Sequence, residues 1–111
     1  MEIEFFGVRG SYPIASPKNV KYGGNSSSIY IKLQDGSHIF YDGGTGLRVA
    51  GNKLLTEGYF KKGDTGHILI SHTHWDHRMG LRFFNPFSIK TNTFFYSFFQ
   101  LRRYNRLLLK Y

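Results

Sequence analysis

The sequence predicts an α/β domain, because short strand patterns and one helical pattern alternate along its first 71 residues. The strand patterns are apolar or alternating runs bounded by Gly, Pro, Asn, Asp and Ser. The helical pattern repeats apolar residues three or four positions apart. A run of metal-binding side chains follows the last strand pattern, where open layered folds place their sites.

The first elements are predicted as a strand, a loop and a β-hairpin. Residues 2–8 have a strand pattern, and residues 9–24 form a loop rich in Gly and Pro. Residues 27–33 alternate apolar and polar side chains, which is typical of a half-buried strand. An Asp-Gly turn then leads into His38–Tyr41, so these two strands are expected to pair in antiparallel fashion.

The next elements are predicted as a helix and a buried strand. Thr45 is a candidate N-cap for a helix over residues 46–57, and Gly58 is placed to end it. Gly51 weakens this helix, because glycine has a poor helix propensity. After a polar loop, the short apolar run at residues 67–71 predicts a strand that ends directly before the metal-binding side chains.

Length and composition limit the class of protein. The 111 residues suit one small domain, and the absence of Cys excludes disulfides and thiolate metal ligands. No apolar run reaches the ~18 residues expected of a membrane span. The N-terminus lacks the basic region and apolar core of a signal peptide, so a cytoplasmic location is expected.

Charge is distributed unevenly along the chain. Residues 1–77 contain 8 Lys or Arg and all 7 Asp or Glu, whereas residues 78–111 contain 7 Lys or Arg and no acid. The second segment also holds 10 of the 20 aromatic residues. A change of composition this sharp predicts a boundary between the metal-binding motif and the end of the chain.

The motif itself reads H-x-H-x-D-H and contains His72, His74, Asp76 and His77. Neutral imidazole and carboxylate are the usual ligands of zinc and of harder first-row metals. Two histidines two positions apart on an extended chain direct their rings to the same side. The spacing therefore predicts a metal site in the loop after the strand.

With Gly80 the motif becomes H-x-H-x-D-H-x-x-G, which resembles the signature of the metallo-β-lactamase-fold hydrolases. Three more segments, residues 7–13, 22–28 and 39–46, resemble the N-terminal turn, the turn before the next strand and the Asp-Gly strand end of that family. Together they resemble its phosphodiesterase and tRNA 3′-end nuclease branch. The resemblance covers about residues 1–87.

The resemblance implies a fold and a division of the chain. Residues 1–87 would form the N-terminal half of a four-layer αββα sandwich, because the family's catalytic domain is much longer. Residues 88–111 match nothing in the family and form a basic, aromatic tail, in which residues 97–111 follow the spacing of an amphipathic helix. Half a sandwich leaves one apolar sheet face without a partner layer, so self-association is expected.

The resemblance also implies the roles of the motif residues. His72 and His74 would bind a first metal, and Asp76 and His77 a second, with zinc the expected ion and Mn²⁺ or Fe²⁺ the alternatives. A metal lowers the pKa of its bound water to about 7 and so supplies a hydroxide nucleophile. Asp76 would in addition orient that hydroxide, which makes it the expected catalytic residue.

Five residues outside the motif are candidates for supporting roles. Asp42 would accept a hydrogen bond that orients the motif loop, although a plain turn residue is the alternative. Asn25 and Ser26 are either turn formers or neighbours of the site, and Arg9 is either solvated or in contact with a substrate phosphate. Ser11 is a further candidate for that phosphate contact.

The chain lacks the later ligands of the family, since no His follows His77 and no Asp or Glu follows Asp76. We therefore expect a fragment of a metal-dependent hydrolase of phosphodiester or nucleotide-type substrates, with an incomplete site and no activity by itself. The alternative is a non-catalytic module that binds nucleic acid or a membrane surface, with weak, nonspecific nucleic-acid binding by the tail. A third interpretation of the tail is a shifted reading frame after a truncating event.

Overall fold

The computed structural model describes residues 1–99, which form a five-stranded mixed β-sheet with a helix on one face. Within this range the strands and the α-helix are β1 (Glu2–Gly7), β2 (Ser28–Lys32), β3 (His38–Tyr41), α1 (Gly46–Thr56), β4 (Thr65–Ile70) and β5 (Thr93–Phe98). Single-turn 3₁₀ helices lie at Pro17–Asn19, Trp75–His77, Leu81–Phe83 and Asn85–Ser88. The α/β class is confirmed, whereas the four-layer arrangement remains a prediction, since residues 1–99 form one sheet.

The strands follow one another across the sheet in the order β1-β2-β3-β4-β5. The pairs β1/β2 and β2/β3 are antiparallel, and the pairs β3/β4 and β4/β5 are parallel. The predicted hairpin is confirmed as β2 and β3, and its turn contains Gly36 at a φ of 87°. Glycine suits this position because a positive φ is strained for residues with a Cβ.

Helix α1 occupies nearly the predicted range, and Thr45 lies at its N-cap as predicted, but without a capping contact from its side chain. Thr45 has helical dihedral angles, and its side chain makes no capping hydrogen bond. Its hydroxyl instead accepts from the backbone N–H of Ser26 and donates to Oδ1 of Asn25, because the turn before α1 packs against that segment. The helix ends at Thr56, and Gly58, with a φ of 99°, follows its C-cap Glu57. Within residues 1–99, no helix has the length and apolar character that crossing a bilayer requires.

The hydrophobic core lies between one face of the sheet and α1 with the turns that follow the motif. Gly51 of α1 faces the ring of Phe84, and a Cβ at this glycine would lie 2.7 Å from that ring. Gly51 therefore lets α1 pack closely against Phe84, although glycine is a weak helix former. The buried apolar side chains are Tyr30, Phe40, Leu47, Ala50, Leu54, Phe60, Ile68, Ile70 and Phe84.

The opposite face of the sheet, here called the open face, is covered by no other element of residues 1–99. Strand register places on it the apolar side chains of Ile3, Phe5, Ile29, Ile31, Ile39, Leu69 and Phe95, and the polar or partly polar side chains of Tyr41, Thr65, His67, Thr93 and Ser97. An unpartnered sheet predicts partial exposure of Phe5, Ile29, Ile31 and Phe40, and the first three agree. Phe40 is fully buried instead, because its register with Tyr30 and Ile68 directs it toward α1.

The sheet continues beyond Phe87, where the sequence predicts a change of domain. Strand β5 pairs with β4, and Phe94 packs against Phe60 with ring centroids 5.3 Å apart. The helix predicted over residues 97–111 is wrong at its start, because Ser97 and Phe98 form the end of β5. The rest of that helix, from residue 100 onward, lies outside the described residues, and the division at residue 87 remains a prediction.

Candidate metal centre

The candidate site lies where the parallel strands β3 and β4 end side by side. Tyr41 of β3 is in register with Leu69 of β4, so the residues that follow them meet at the same edge of the sheet. Asp42 follows β3, and its backbone N–H donates to the carbonyl of Leu69 over 2.8 Å. Ser71 and the H-x-H-x-D-H motif follow β4. This position at the C-terminal end of a buried strand agrees with the prediction from sequence.

Asp42 is the buried centre of a hydrogen-bond network. Its Oδ1 accepts from the backbone N–H and from the hydroxyl of Ser71, both over 2.8 Å. Its Oδ2 lies 2.7 Å from Nδ1 of His77, and the hydroxyl of Ser27 donates to the same oxygen over 3.2 Å. Asp42 adopts a φ of 64°, a conformation that Asp tolerates better than most residues. The carboxylate thereby links the end of β3 to Ser71, which precedes the motif, and to His77, which is its last residue.

The contact with Asp42 determines which ring nitrogen of His77 carries the proton and which one can bind a metal. A carboxylate can only accept, so Nδ1 of His77 carries the proton and donates. The lone pair of a neutral His77 is then on Nε2, which lies 3.3 Å from Oδ2 of Asp76. In metal sites, a histidine that binds the ion through one ring nitrogen usually donates a hydrogen bond from the other nitrogen, often to a carboxylate.

The other two histidines of the motif are exposed and lie beside His77. Ring centroids are 4.1 Å apart for His72 and His77, and 4.5 Å apart for His72 and His74. Nδ1 of His72 is 3.0 Å from the hydroxyl of Ser71. The structure therefore brings the three imidazoles of the motif together at one surface.

Asp76 is buried, unlike its neighbours in the motif. Its Oδ2 accepts from the backbone N–H of Ser11 over 2.8 Å, although Ser11 belongs to the loop after β1. This hydrogen bond, together with the nearby His77, lowers the pKa of the Asp76 carboxyl below its ordinary value. Asp76 is consequently a carboxylate at neutral pH, as a metal ligand must be.

Ser11 binds the motif through its backbone, and contact of its side chain with a substrate phosphate remains a prediction. Its φ of 74° turns its backbone N–H toward Asp76. This backbone contact cannot be identified from side-chain type, because any residue with an N–H could make it. The role of Ser71 was also missed, and the only signal for it was a hydroxyl residue between the strand and the first motif histidine.

Asn25 and Ser26 support the turn after β3 instead of facing the motif directly. The Ser26 hydroxyl is fully buried and accepts from the backbone N–H of Thr45 over 2.9 Å. Oδ1 of Asn25 accepts from the Thr45 hydroxyl over 3.1 Å. These bonds hold the turn of residues 42–45 in place, and that turn carries Asp42.

Two glycines let this turn lie directly against the motif loop. A Cβ on Gly44 would lie 2.5 Å from the carbonyl oxygen of Asp76, and a Cβ on Gly80 would lie 1.9 Å from the carbonyl oxygen of Gly44. The backbone N–H of Gly43 donates to the carbonyl of His77 over 2.7 Å. The final Gly of the motif is therefore required by close backbone approach.

Arg9 lies on the wall of a groove beside the loop that holds Asp76. Its Nε donates to the carbonyl of Tyr12 over 2.8 Å, and its guanidinium lies 5.2 Å from the centroid of the Tyr12 ring. The groove is also lined by Lys18 and Lys21, and Nζ of Lys21 lies 4.9 Å from the ring centroid of the exposed Tyr22. The lining has three cations and no acid, and its remaining members are Val8, Asn19, Tyr22 and Gly23.

A second exposed cation and aromatic ring belong to the motif loop. The guanidinium of Arg78 lies 4.9 Å from the ring centroid of Trp75, and its Nε donates to the carbonyl of Thr73 over 3.0 Å. The Trp75 ring is exposed, so it does not pack into the core. The two loops that meet at the Ser11–Asp76 hydrogen bond thus both present a cation with an aromatic ring to solvent.

The side chains of the motif suit a metal, but they do not converge on one point. In residues 1–99 no three or more His, Cys, Asp or Glu side chains have a geometry that could hold a metal ion. The nitrogen and oxygen donors are nevertheless the types that zinc and related ions bind. Nε2 of His77 and Oδ2 of Asp76 already lie 3.3 Å apart. The donor chemistry therefore fits a divalent metal, whose binding would need these side chains to move closer together.

The chain was compared with protein families, with curated proteins and with solved structures. A family model described as the metallo-beta-lactamase superfamily matches residues 22–85. The match includes the whole motif, Asp42, Asn25 and Ser26, whereas Arg9 and Ser11 lie before it. Neither the curated proteins nor the solved structures give a match.

Proposed function

This chain belongs to the metallo-beta-lactamase superfamily, a family of metal-dependent hydrolases, and we propose that its site is built to hydrolyse phosphodiester-type substrates. The observation that carries the proposal is the groove of Arg9, Lys18 and Lys21, which is built from the loop whose Ser11 binds Asp76 of the motif. Arg9 is two residues from Ser11, whose backbone N–H binds Asp76. A groove with cations and no acid favours an anionic substrate close to the metal-binding side chains.

Zinc is the proposed metal, with Mn²⁺ or Fe²⁺ as alternatives. Neutral imidazole from His72, His74 and His77 with the carboxylate of Asp76 suits zinc well. His72 and His74 would hold a first ion, and Asp76 and His77 a second. When bound, such an ion supplies Lewis acidity and an activated water.

Asp42 and Ser11, which contact the proposed ligands His77 and Asp76, would set the protonation and orientation of those side chains. Asp42 accepts the Nδ1–H of His77 and so leaves Nε2 directed away from the core. The backbone N–H of Ser11 binds Oδ2 of Asp76 and lowers the pKa of that carboxyl. Oδ1 of Asp76 would then be available to bind a metal ion or to accept a proton. Asp76 is therefore the proposed catalytic residue, which would orient the attacking water.

The groove would bind the substrate's negative charge. A phosphodiester carries one charge for each phosphate, and the side chains of Lys18 and Lys21 can each approach one oxygen. The exposed rings of Tyr22 and Trp75 offer flat apolar surfaces for the groups that the phosphate joins. Substrates with aromatic or nucleoside groups fit this combination best.

The proposed site has fewer ligands than a two-metal centre needs. Four candidate ligands serve two ions, whereas a catalytic zinc ordinarily has three protein ligands. We therefore infer that this chain alone is a poor catalyst, since a misplacement of even 1 Å can lower a rate about 10²-fold. Binding of metal and of substrate analogues is the more informative measurement.

The test titrates the chain with zinc and then with thymidine 5′-p-nitrophenyl phosphate. We expect zinc binding to be lost in His74→Ala and kept in the control His67→Ala, whose histidine lies on the open face. Binding of the phosphodiester should weaken in Lys18→Ala and stay unchanged in Lys62→Ala, an exposed lysine after α1. Zinc binding that persists in His74→Ala, or equal phosphodiester binding in both lysine variants, would contradict the proposal.

A second candidate function is binding of nucleic acid without catalysis. It is favoured by the exposed pairs of Arg9 with Tyr12, Lys21 with Tyr22, and Arg78 with Trp75, because single strands bind to cations and stacked aromatic rings. Such binding would weaken steeply with salt and would need no metal. Zinc-dependent binding of a mononucleotide diester favours hydrolysis, and metal-independent binding of an oligonucleotide favours this second candidate.

A further inference from the structure

The open face of the sheet has the opposite of the usual charge pattern. The three charged residues of the five strands are Glu2, Glu4 and Lys32, and strand register places all of them on the face that α1 covers. The open face has no Asp, Glu, Lys or Arg on any strand. Sheets with one face in water normally place polar side chains on that face.

The most exposed apolar residues of the open face lie on its two edge strands. Phe5 on β1 is 63% exposed, and Phe95 on β5 is 56% exposed. Between them, Ile29, Ile31 and Ile39 remain partly exposed on the central strands. The row of side chains from Ile3 to Phe95 is apolar on β1, β2 and β3, and it reaches β5 through the ring of His67, which stacks on Phe95 with ring centroids 5.3 Å apart.

We propose that the open face is the interface of a homodimer, in which a second copy of this chain packs sheet against sheet. The chain has a net charge of +8, but its cations lie outside the open face. Two copies can therefore meet through this face without repulsion between like charges across the interface. Face-to-face sheets pack about 10 Å apart through interdigitated apolar side chains. The same surface on both partners makes a symmetric, self-limiting contact.

The size of the face is sufficient for such a dimer. Five strands about 4.8 Å apart and roughly 20 Å long give a flat area of roughly 400–500 Å² for each copy. Side-chain relief adds to this, so the two copies together bury at least about 1,000 Å², the lower limit for a specific interface. The area contains no Asp, Glu, Lys or Arg, which favours its burial.

Residues 100–111 lie outside the described residues and include the cations Arg102, Arg103, Arg106 and Lys110. Covering of the open face by this segment is the competing outcome of the test, because it would leave the chain monomeric.

The test measures the mass of the full chain in solution by sedimentation equilibrium at micromolar concentration. We expect twice the chain mass of 12.9 kDa. Phe5→Lys and Phe95→Lys would each place a charge in both halves of the interface and raise the dissociation constant at least ~100-fold. Phe83→Lys is the matched control, because Phe83 is 59% exposed and lies outside the sheet.

Several outcomes would overturn the proposal. These are a monomeric wild-type chain, open-ended assembly without a dimer, and equal effects of the Phe5 and Phe83 substitutions. Far-ultraviolet circular dichroism of each variant separates dissociation from unfolding. A variant that unfolds is replaced by the smaller change Phe5→Ser or Phe95→Ser, for which the same loss of dimer is expected. A stable complex with another protein that excludes the dimer would also contradict the proposal.

Discussion

Oδ2 of Asp42 lies 2.7 Å from Nδ1 of His77, although 35 residues separate the two along the chain. The contact exists because β3 and β4 are parallel neighbours, so the residue after one strand reaches the loop after the other. Asp42 also binds the backbone and the hydroxyl of Ser71. The carboxylate thus couples the core of the sheet to the motif, and it is the natural place to test how the fold prepares the site.

Replacement of Asp42 by Asn should weaken metal binding with little change of shape. Asn cannot provide two acceptor oxygens, so His77 loses its orienting partner on Nδ1. Loss of such a partner typically lowers metal affinity about 10–100-fold. The measurement is zinc affinity by competition with a chelator, and Asp35→Asn, in an exposed turn, is the control. Equal affinity for Asp42→Asn and wild type would show that the contact does not prepare a ligand.

Gly44→Ala should displace the motif loop. The new Cβ would lie 2.5 Å from the carbonyl oxygen of Asp76 and 2.6 Å from the Ser26 hydroxyl, and backbone cannot yield as a flexible side chain does. Overpacking of this kind costs about 1–3 kcal/mol of unfolding free energy. Gly10→Ala is the control, because no atom lies within 4 Å of its Cβ position. Chemical denaturation of both variants measures the difference, and similar midpoints would contradict the close packing.

Phe84→Ala should be one of the most destabilising single changes. Phe84 is buried and packs edge-on against Phe40, with ring centroids 5.0 Å apart. Large-to-small changes at such a position cost about 3–5 kcal/mol. Its neighbour Phe83 is exposed, so Phe83→Ala should change the unfolding free energy by less than about 0.5 kcal/mol. Thermal unfolding of the two variants would reveal whether the core sits where the structure places it.

Stability should decline as the pH falls below about 6.5, through His38. This histidine is buried, with Nδ1 2.7 Å from the hydroxyl of Tyr30, and burial lowers its pKa in the folded state. The unfolded chain then binds a proton more readily, so stability is greatest above the unfolded pKa and falls as the pH drops toward the folded pKa. In His38→Gln the decline in this window should shrink, whereas His67→Gln should retain it. Urea midpoints measured from pH 8 to pH 5 decide between these outcomes.

Removal of residues 88–111 should weaken the sheet more than removal of residues 100–111 alone, because only the longer deletion removes β5. The longer deletion takes away β5, the parallel partner of β4, and the Phe94 ring that packs on Phe60. The amides of β4 that donate to β5 would then exchange with solvent more rapidly. Hydrogen exchange of the two truncated chains provides the comparison, and unchanged protection of β4 in the longer deletion would make β5 dispensable.

Local patterns in the sequence predicted most of the elements correctly. Turn residues mark both ends of β3 at His38–Tyr41, and apolar spacing with Gly58 marks α1. The position of the motif after β4 also followed from sequence, because the apolar run and the histidines are adjacent in the chain. These features depend on residues close to one another in sequence, where backbone preferences and turn chemistry act.

Contacts between distant segments were decided only by the tertiary structure. Thr45 has the side chain of a helix cap, but it binds Ser26 and Asn25, because the folded chain brings that segment closer than its own helix N-terminus. Register alone directs Phe40 to the core and Ile31 to the open face. The Asp42–His77 and Ser11–Asp76 hydrogen bonds likewise require strands and loops to meet across the chain, which the order of residues does not specify by itself.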